Sequence, residues 1–485
     1  MSLLKNGLYN ALNGLVRAGL VLVTIPILTR LLGIQEYGLW SLVSALVELI
    51  VLSGNGISVT TTVFGSRDLA SKDTGKSLSE TLTVIAGGVF IFATVSAIGM
   101  LIGSQFVATL FPNLNLIQTQ ASIQALQIAS AIVWSRLIQQ LLMGIEQAHQ
   151  QYGYLNILNT IQVTLLHIGM IIVAWSGGKI IQLMEWQVLV YGIILISHLW
   201  LVKKLLKPAT LKFIWNTQKA LEIGQHSLTN LFLCIGSVIF GRGDRIVVAY
   251  FLTPEILGMY AAITDVAAGM NTLSNLPVQP LISMLGEHSL NVTRSQNKLK
   301  SQIKQSLELN ATLALGIGAW LFALAPFLIQ GLLAKDPNDS NTIIAFRLAI
   351  FIYAMISINS VGFYTLLTLD VQLCMKVYLV SAFIALSSIV IGATQFGLIG
   401  AIAGNIGFFI SWLMLLFGME KLKLPQWFWL KCTRTPLIWF FVFISIATLA
   451  GDNYLLSLSI SGLETLGLVY WFFREYQYNK KLIAV

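Results

Sequence analysis

Arginine side chains interrupt segments of this sequence that are otherwise apolar. Arg17, Arg136, Arg242, Arg245 and Arg347 each lie inside such a segment. An arginine at the middle of a bilayer costs on the order of 2.5–3.5 kcal/mol on insertion scales, so such residues face protein or water and commonly serve a function. Arg242 and Arg245 are three positions apart, which places them on one face of a helix where both can grip a single anion.

The five arginines divide into two groups by their expected surroundings. Arg17, Arg242 and Arg245 are predicted to line a polar cleft and to bind an anionic substrate. The alternative for these three is that Asp244 and other acids neutralise them structurally. For Arg136 and Arg347, the favoured interpretation is that the side chains extend toward a membrane interface.

Acidic residues within the apolar segments are the second candidate group. Glu48, Asp244 and Asp265 are candidates for binding a coupling cation or proton, and an equally good interpretation makes them charge partners of arginines. His198 and the other histidines in or near the apolar segments lack metal-ligand spacing and are interpreted as packed neutral imidazoles. The three cysteines show no metal or redox spacing, so no metal site is expected.

The composition requires a membrane protein. Of 485 residues, 56% are hydrophobic and only 10% charged, whereas a soluble protein has about a quarter of its residues charged. Continuous apolar runs of about 20 residues recur along the chain, which predicts an all-α polytopic membrane protein with about fourteen transmembrane helices. The predicted spans are 8–32, 38–62, 82–103, 121–144, 154–175, 184–202, 225–252, 256–284, 306–333, 342–368, 376–395, 398–419, 435–450 and 454–472.

A repeat with an offset of 220 positions organises the spans. The segment from Leu31 to Trp40 corresponds to the segment from Phe251 to Tyr260, with Gly38 matching Gly258. The same offset aligns two turn glycines, Gly177 and Gly397. We therefore predict two six-helix lobes, 1–202 and 223–419, related by a pseudo-twofold axis along the membrane normal. A basic cytoplasmic connector (203–222) joins them, and a basic aromatic connector (420–434) leads to an extra helix pair with a tail (435–485).

The basic residues in the loops give the orientation. Loops on the side of the N-terminus carry 21 Lys and Arg, and the opposite loops carry 3. This asymmetry predicts cytoplasmic termini. It also explains the net charge of +9 without a nucleic-acid partner. Both connectors are predicted to form helices lying in the cytoplasmic interface.

Catalytic signatures do not occur in the sequence. It contains no GxxxxGK[ST] loop for nucleotide binding and no HExxH or GxSxG motif. Its predicted external loops are short, with 104–120 the longest, and offer no room for a catalytic domain. These features favour a transporter over an enzyme, and no cofactor is expected.

Two motifs resemble those of a known family. They are Thr29-Arg30-Leu31-Leu32-Gly33 with Glu36-Tyr37-Gly38-Leu39, and Asp244-Arg245 with Tyr250-Phe251-Leu252 and Gly258-Met259-Tyr260. With the two lobes, the sequence resembles the polysaccharide/oligosaccharide flippases of the multidrug/oligosaccharidyl-lipid/polysaccharide exporter superfamily. The resemblance implies movement of undecaprenyl-pyrophosphate-linked glycan from the cytoplasmic to the outer leaflet of the bacterial inner membrane by alternating access, for export of surface polysaccharides such as O-antigen or exopolysaccharide. It also implies basic residues in the cavity, which Arg17, Arg242 and Arg245 fit.

Several alternatives remain open at the level of sequence. A lipid II flippase has a substrate that also carries a pyrophosphate. A polytopic glycan polymerase or ligase is the rival from another class, although it would normally need a large external loop. Coupling to Na⁺, H⁺ or membrane potential is undecided. Expected partners are the polyprenyl-pyrophosphate-linked glycan, the bilayer and other membrane proteins of polysaccharide assembly.

Overall fold

The computed structural model describes residues 2–69, 74–206, 212–276, 296–333 and 339–449, together with parts of 278–285 and 455–470. For some helical residues, among them 2–13, Arg17 and 228–240, only the backbone is described. No β-strand occurs among the described residues, and the predicted all-α fold class is confirmed. Within these ranges, nine helical stretches are long and apolar enough to cross a membrane.

The first nine helices match the first eight predicted spans, and the second span is formed by two of them. They are α1 (Ser2–Leu32), α2 (Ile34–Ser53), α3 (Asn55–Leu69), α4 (Thr74–Thr109), α5 (Leu116–Ala148), α6 (Tyr152–Trp175), α7 (Ile180–Leu206), α8 (Thr217–Phe251) and α9 (Pro254–Asn275).

The helices after α9 correspond to the later predicted spans. They are α10 (Gln296–Ala323), α11 (Ala325–Leu333), α12 (Ser340–Ser357), α13 (Ser360–Leu369), α14 (Val371–Gly404), a 3₁₀ helix (Asn405–Trp412), α15 (Leu413–Lys421) and α16 (Phe428–Leu449). The last predicted span, 454–472, lies partly outside the described residues, which are helical between 455 and 467.

The chain forms two compact units, Met1–Ala261 and Ala262–Val485. In the first unit α5 is the central helix and packs against α2, α3, α4 and α7. Small residues on α5, including Ala125 and Ala129, are fully buried and allow the neighbouring helices to approach closely. In the second unit α10 packs against α12 and α16. The predicted lobes, which rest on the sequence repeat, place α8 with the later helices, and that division stays a prediction.

Local sequence fixes several helix ends. Asn115 and Gln118 form a capping box at the start of α5, so that two otherwise unpaired backbone N–H groups are satisfied. Asp370 separates α13 from α14, where it accepts a hydrogen bond from the Leu373 backbone N–H at 3.0 Å. Lys421 donates to the same carboxylate at 2.7 Å and holds the pKa of Asp370 below its usual value.

Two glycines with left-handed backbone form the turns that the repeat aligned. Gly177 has φ 86° between α6 and α7, and Gly397 has φ 57° within α14. The break at Gly397 divides the long helical stretch into the predicted eleventh and twelfth spans. Past the break, a Cβ on Gly400 would overlap the Gly392 carbonyl, so the two arms pack backbone to backbone. Both glycines therefore lie in turns, and their equivalence under the repeat stays a prediction.

The lysines and aromatic residues of the connectors predicted a separate interfacial helix in each, and the described residues of the two connectors contain none. In 420–434 the chain passes from α15 through a turn with Lys423 at φ 56° into α16, so that prediction is wrong. In 203–222 the described residues belong to the end of α7, to the non-helical stretch 212–216 and to the start of α8. Residues 207–211 lie outside the described residues.

The end of the first connector is instead tied to α3 and α4 by polar contacts. Lys219 Nζ donates to Asp68 Oδ2 at 3.1 Å and to the Ser77 carbonyl at 2.7 Å. The Ile214 backbone N–H donates to Thr83 Oγ1 at 3.3 Å. A lysine that is engaged by a buried carboxylate is unavailable to a lipid surface, and the interfacial helix for 203–222 as a whole stays a prediction.

Substituting the two turn glycines tests their backbone conformation. We expect Gly177→Ala and Gly397→Ala each to lower the free energy of unfolding by about 1–2 kcal/mol, because L-residues are strained at positive φ. Gly87→Ala is the matched control, since Gly87 lies inside α4 with open space around its Cα. Thermal unfolding in detergent measures the difference, and equal melting temperatures for all three variants would contradict it.

Candidate functional site

A charged segment on α8, residues 242–245, brings together three of the predicted site residues. Arg245 is 5% exposed and donates from Nη1 to Ser41 Oγ of α2 at 2.9 Å. Asp244 is 6% exposed and accepts from the Tyr260 hydroxyl of α9 at 2.8 Å. Arg242 is half-buried. Helix α8 thus carries two guanidinium groups and one carboxylate within one turn.

The charged side chains of this segment are two arginines and one aspartate. Asp244 lies in the electrostatic field of both Arg242 and Arg245, and its second oxygen, Oδ1, has no hydrogen-bond partner. One carboxylate can compensate only one of two guanidinium groups, so the three side chains together carry one formal positive charge. Two guanidinium groups within one helical turn are suited to binding an anion, since a desolvated cation is stabilised by a counter-charge.

A reciprocal contact between two glycines positions the partners of this segment. A Cβ on Gly38 would overlap the Pro254 carbonyl oxygen, and a Cβ on Gly258 would overlap the Ile34 carbonyl oxygen. The repeat offset relates position 34 to 254 and position 38 to 258, so the contact is symmetric under the repeat. Because no side chain separates them, the first turns of α2 and α9 meet backbone to backbone.

This crossing explains where the two hydrogen-bonding partners lie. Ser41 follows Gly38 by one turn on α2, and Tyr260 follows Gly258 by two residues on α9. Both helices are therefore held against α8 at the level of the charged segment, and Tyr37 and Tyr260 are almost fully buried there. The repeated motif found in the sequence thus builds the surroundings of Asp244 and Arg245.

A second charged contact joins α2, α5 and α7 in the first unit. Arg136 of α5 forms an ion pair with Glu48 of α2, and its guanidinium carbon lies 5.3 Å from the ring centroid of Tyr191 on α7. This geometry matches the charge-partner alternative for Glu48, whose role in ion coupling stays a prediction. It also gives Arg136 partners within the protein, where the sequence favoured an interface.

The remaining predicted residues are not brought into this segment by the described structure. The side chain of Arg17 lies outside the described residues, so its place in a cleft stays a prediction. Asp265 is half-buried on α9 and belongs to the second unit. Arg347 donates from Nε to the Phe322 carbonyl at 3.4 Å and thereby caps the last turn of α10.

Buried acids that the sequence analysis did not single out are Glu146 and Glu464. Glu146 is 0% exposed and bonds to His198 across α5 and α7. Glu464 is 2% exposed and lines an apolar groove of about 420 Å³ in the second unit, with Trp439 and Phe440 among its neighbours. In the sequence, the only sign of this site is that Glu146 lies close to glutamine side chains in a largely apolar stretch. In the part of the chain that the structure describes, no cluster of three or more His, Cys, Asp or Glu side chains suits a metal ion.

Alanine substitutions test the glycine crossing by a double-mutant cycle. We expect Gly38→Ala and Gly258→Ala each to cost about 1–3 kcal/mol of stability, because each added methyl group forces the helices apart. The double variant should cost clearly less than the sum, since both methyl groups relieve their overlap by the same displacement. Gly224→Ala on α8, with nothing within 4 Å, is the control. Additive costs, measured by unfolding in detergent, would argue against a shared contact.

Similar structures share this fold over nearly all of their length. The structure described as "Lipid II flippase MurJ, inward closed conformation" matches with a TM-score of 0.75 and 14% identity, covering 97% of this chain and 99% of MurJ. A multidrug resistance MATE family transporter of the MOP superfamily, in an inward-facing conformation, matches with a TM-score of 0.71 and 11% identity, covering 84% of this chain and 98% of that one. At 14% and 11% identity, these similarities show a shared fold and nothing further.

Sequence comparison supplies the family. No protein of curated function matches the sequence closely enough to count as a relative. Residues 3–286 match the family described as "Polysaccharide biosynthesis protein". That range is more than half of the chain and includes the charged segment of α8 and both glycine motifs. The chain therefore belongs to the polysaccharide biosynthesis protein family, and its fold is that of the MOP-superfamily flippases and transporters.

Proposed function

We propose that this protein flips a polyprenyl-pyrophosphate-linked oligosaccharide across the bacterial inner membrane, from the cytoplasmic to the outer leaflet, by alternating access. The observation that carries the proposal is the positively charged segment 242–245 on an apolar helix of a polysaccharide biosynthesis protein. The step is a translocation in which no covalent bond forms or breaks, so the proposal assigns no enzymatic activity and no cofactor. Both termini lie in the cytoplasm.

The physical obstacle to this movement is the headgroup. Stripping water from a pyrophosphate and a sugar chain is prohibitive in hydrocarbon, whereas the polyprenyl tail can remain in the bilayer. A protein overcomes the obstacle by offering replacement contacts for the phosphate oxygens. Guanidinium groups suit this task because they donate in a planar fork that matches phosphate geometry and stay charged at all relevant pH values.

In this proposal Arg17, Arg242 and Arg245 contact the pyrophosphate. Arg242 is the more accessible of the two arginines on α8, and Arg245 is held by Ser41 in a fixed orientation. Glu48, Asp244 and Asp265 are proposed as charge partners or as sites of ion coupling. Asp244 has the clearest structural support for the first role, because it lies beside both α8 arginines and accepts from Tyr260.

Transport of lipid II is the second candidate function. The likeness to the fold of the lipid II flippase MurJ favours it, and a lipid II headgroup presents the same pyrophosphate. The two candidates differ in the sugar that follows the pyrophosphate. Purified protein in liposomes that contain either labelled polyprenyl-pyrophosphate oligosaccharide or labelled lipid II separates them by leaflet transfer. Transfer of lipid II alone would replace the first candidate by the second.

Arginine substitutions test the pyrophosphate assignment in the same liposomes. Arg17→Gln, Arg242→Gln and Arg245→Gln should each lower the transfer rate at least about tenfold, which corresponds to loss of one charged hydrogen bond of about 1.5–3 kcal/mol. Arg242→Lys should restore part of the rate, because lysine keeps the charge and loses the bidentate fork.

The matched control is an exposed arginine of the first unit, Arg67, which pairs with Glu222 at 3.0 Å. Arg67→Gln makes the same chemical change and should leave transfer unchanged. Because Arg245 is buried, its variant is first checked for an unaltered melting temperature. Transfer at the normal rate in all three glutamine variants would remove these arginines from the site.

A further inference from the structure

A fully buried acid–imidazole pair joins α5 to α7 in the first unit. His198 Nδ1 lies 2.7 Å from Glu146 Oε1, and both side chains are 0% exposed. Two amides extend the contact: Gln139 Nε2 lies 3.2 Å from His198 Nε2 and donates to Gln162 Oε1 of α6 at 2.7 Å. This four-residue network, Glu146–His198–Gln139–Gln162, therefore connects three helices.

The hydrogen bonds fix where the imidazole proton is. An amide N–H group can only donate, so His198 Nε2 is an acceptor toward Gln139. His198 therefore carries its proton on Nδ1 and donates it to Glu146. The other carboxylate oxygen, Glu146 Oε2, is buried and has no hydrogen-bond partner among the described residues. With a neutral imidazole and an ionised carboxylate, the network holds one uncompensated negative charge.

Among the described residues, no Lys or Arg side chain forms an ion pair with Glu146. The acids and bases on the helices that pack against α5 have other partners: Asp68 of α3 and Glu80 of α4 pair with Lys219, and Glu48 of α2 pairs with Arg136. Lys203, Lys204 and Glu185 of α7 are exposed, and His149 of α5 contacts the Ile145 carbonyl. His167 is half-buried on α6. Within the described residues, His198 is the one group in ion-pair distance of Glu146.

A buried negative charge without a counter-ion is costly, and binding one proton removes it. We propose that Glu146 and His198 form a proton-binding site that couples transport to a proton gradient. The added proton binds to His198 Nε2, and the imidazolium then balances the Glu146 carboxylate. Gln139 must turn its oxygen toward the imidazole and give up its bond to Gln162. Protonation of the pair thereby changes the contact between α5 and α6.

The position of the site supplies a short route for the proton. Glu146 is two residues from the end of α5, at the side that the charge asymmetry predicts to be cytoplasmic, and Gln150 just beyond it is exposed. The proton-binding property is independent of the transported substrate. Its link to transport rests on the proposed function, so one measurement below addresses the site alone.

Nitrogen-15 NMR of histidine-labelled protein tests the site without any transport. The chain contains five histidines, and His198→Gln identifies the signal of His198. We expect a neutral imidazole with its proton on Nδ1, and a change of this signal between about pH 5 and pH 9. Glu146→Gln keeps an acceptor for Nδ1–H but cannot be ionised, so the change should vanish or move in pH. A His198 signal that is constant over this range in the parent protein would overturn the proposal.

Transfer in liposomes with and without an imposed pH gradient tests the coupling. The gradient should raise the parent protein's rate, whereas Glu146→Gln should show a rate ratio of one and still transfer substrate. The control is Thr62→Val, which removes the hydrogen bond from Thr62 Oγ1 to Gln147 Oε1 at 2.9 Å between α3 and α5 but no ionisable group. An unchanged gradient response in Glu146→Gln would refute the coupling. Absence of transfer in every form would refute the proposed function and leave the NMR result standing.

Discussion

The cost of a charge among apolar helices governs how the first unit is held together. Its buried ionisable side chains find partners on other helices: Glu48 of α2 with Arg136 of α5, Glu146 of α5 with His198 of α7, and Lys219 of α8 with Asp68 of α3. Each contact joins two helices, and removing one partner leaves the other desolvated without its hydrogen bond or counter-charge. Polar contacts of this kind also fix the rotation of each helix about its axis, which apolar packing alone leaves weakly specified.

The segment on α8 differs in composition from these one-to-one contacts, because it contains two arginines and a single carboxylate. The glycine crossing beside it places backbone against backbone, so it holds α2 and α9 close without interlocking side chains. Ser41 and Tyr260 extend from these two helices to Arg245 and Asp244. A displacement of α9 along α2 therefore changes the partners of both charged residues at once. Packing and electrostatics are linked at this point by the same repeated motif.

Sequence alone predicted the elements of the fold well and the pairing of side chains poorly. Length and hydropathy located the spans because a bilayer sets the length of a helix that crosses it. Gly177 and Gly397 were recognisable because the repeat aligned them and glycine suits a left-handed turn. The partners Glu48 and Arg136 are 88 positions apart and Glu146 and His198 are 52 apart. A single sequence carries no signal that joins positions at such distances.

The prediction of interfacial helices depended on composition in the same way. Lysines and aromatic residues in a connector indicate a membrane surface when they have no competing partner, yet Lys219 is bound by Asp68 and Ser77. Composition describes which contacts a residue can make, and the fold decides which it does make.

The charged residues of the candidate site show the same limit of sequence. The sequence assigned Arg245 to a cleft and Arg136 to a membrane interface, but it could not show which side chains each of them contacts. The structure distinguishes them. Arg136 pairs with the carboxylate of Glu48, whereas Arg245 donates to the neutral hydroxyl of Ser41 and lies beside Asp244, which also interacts with Arg242.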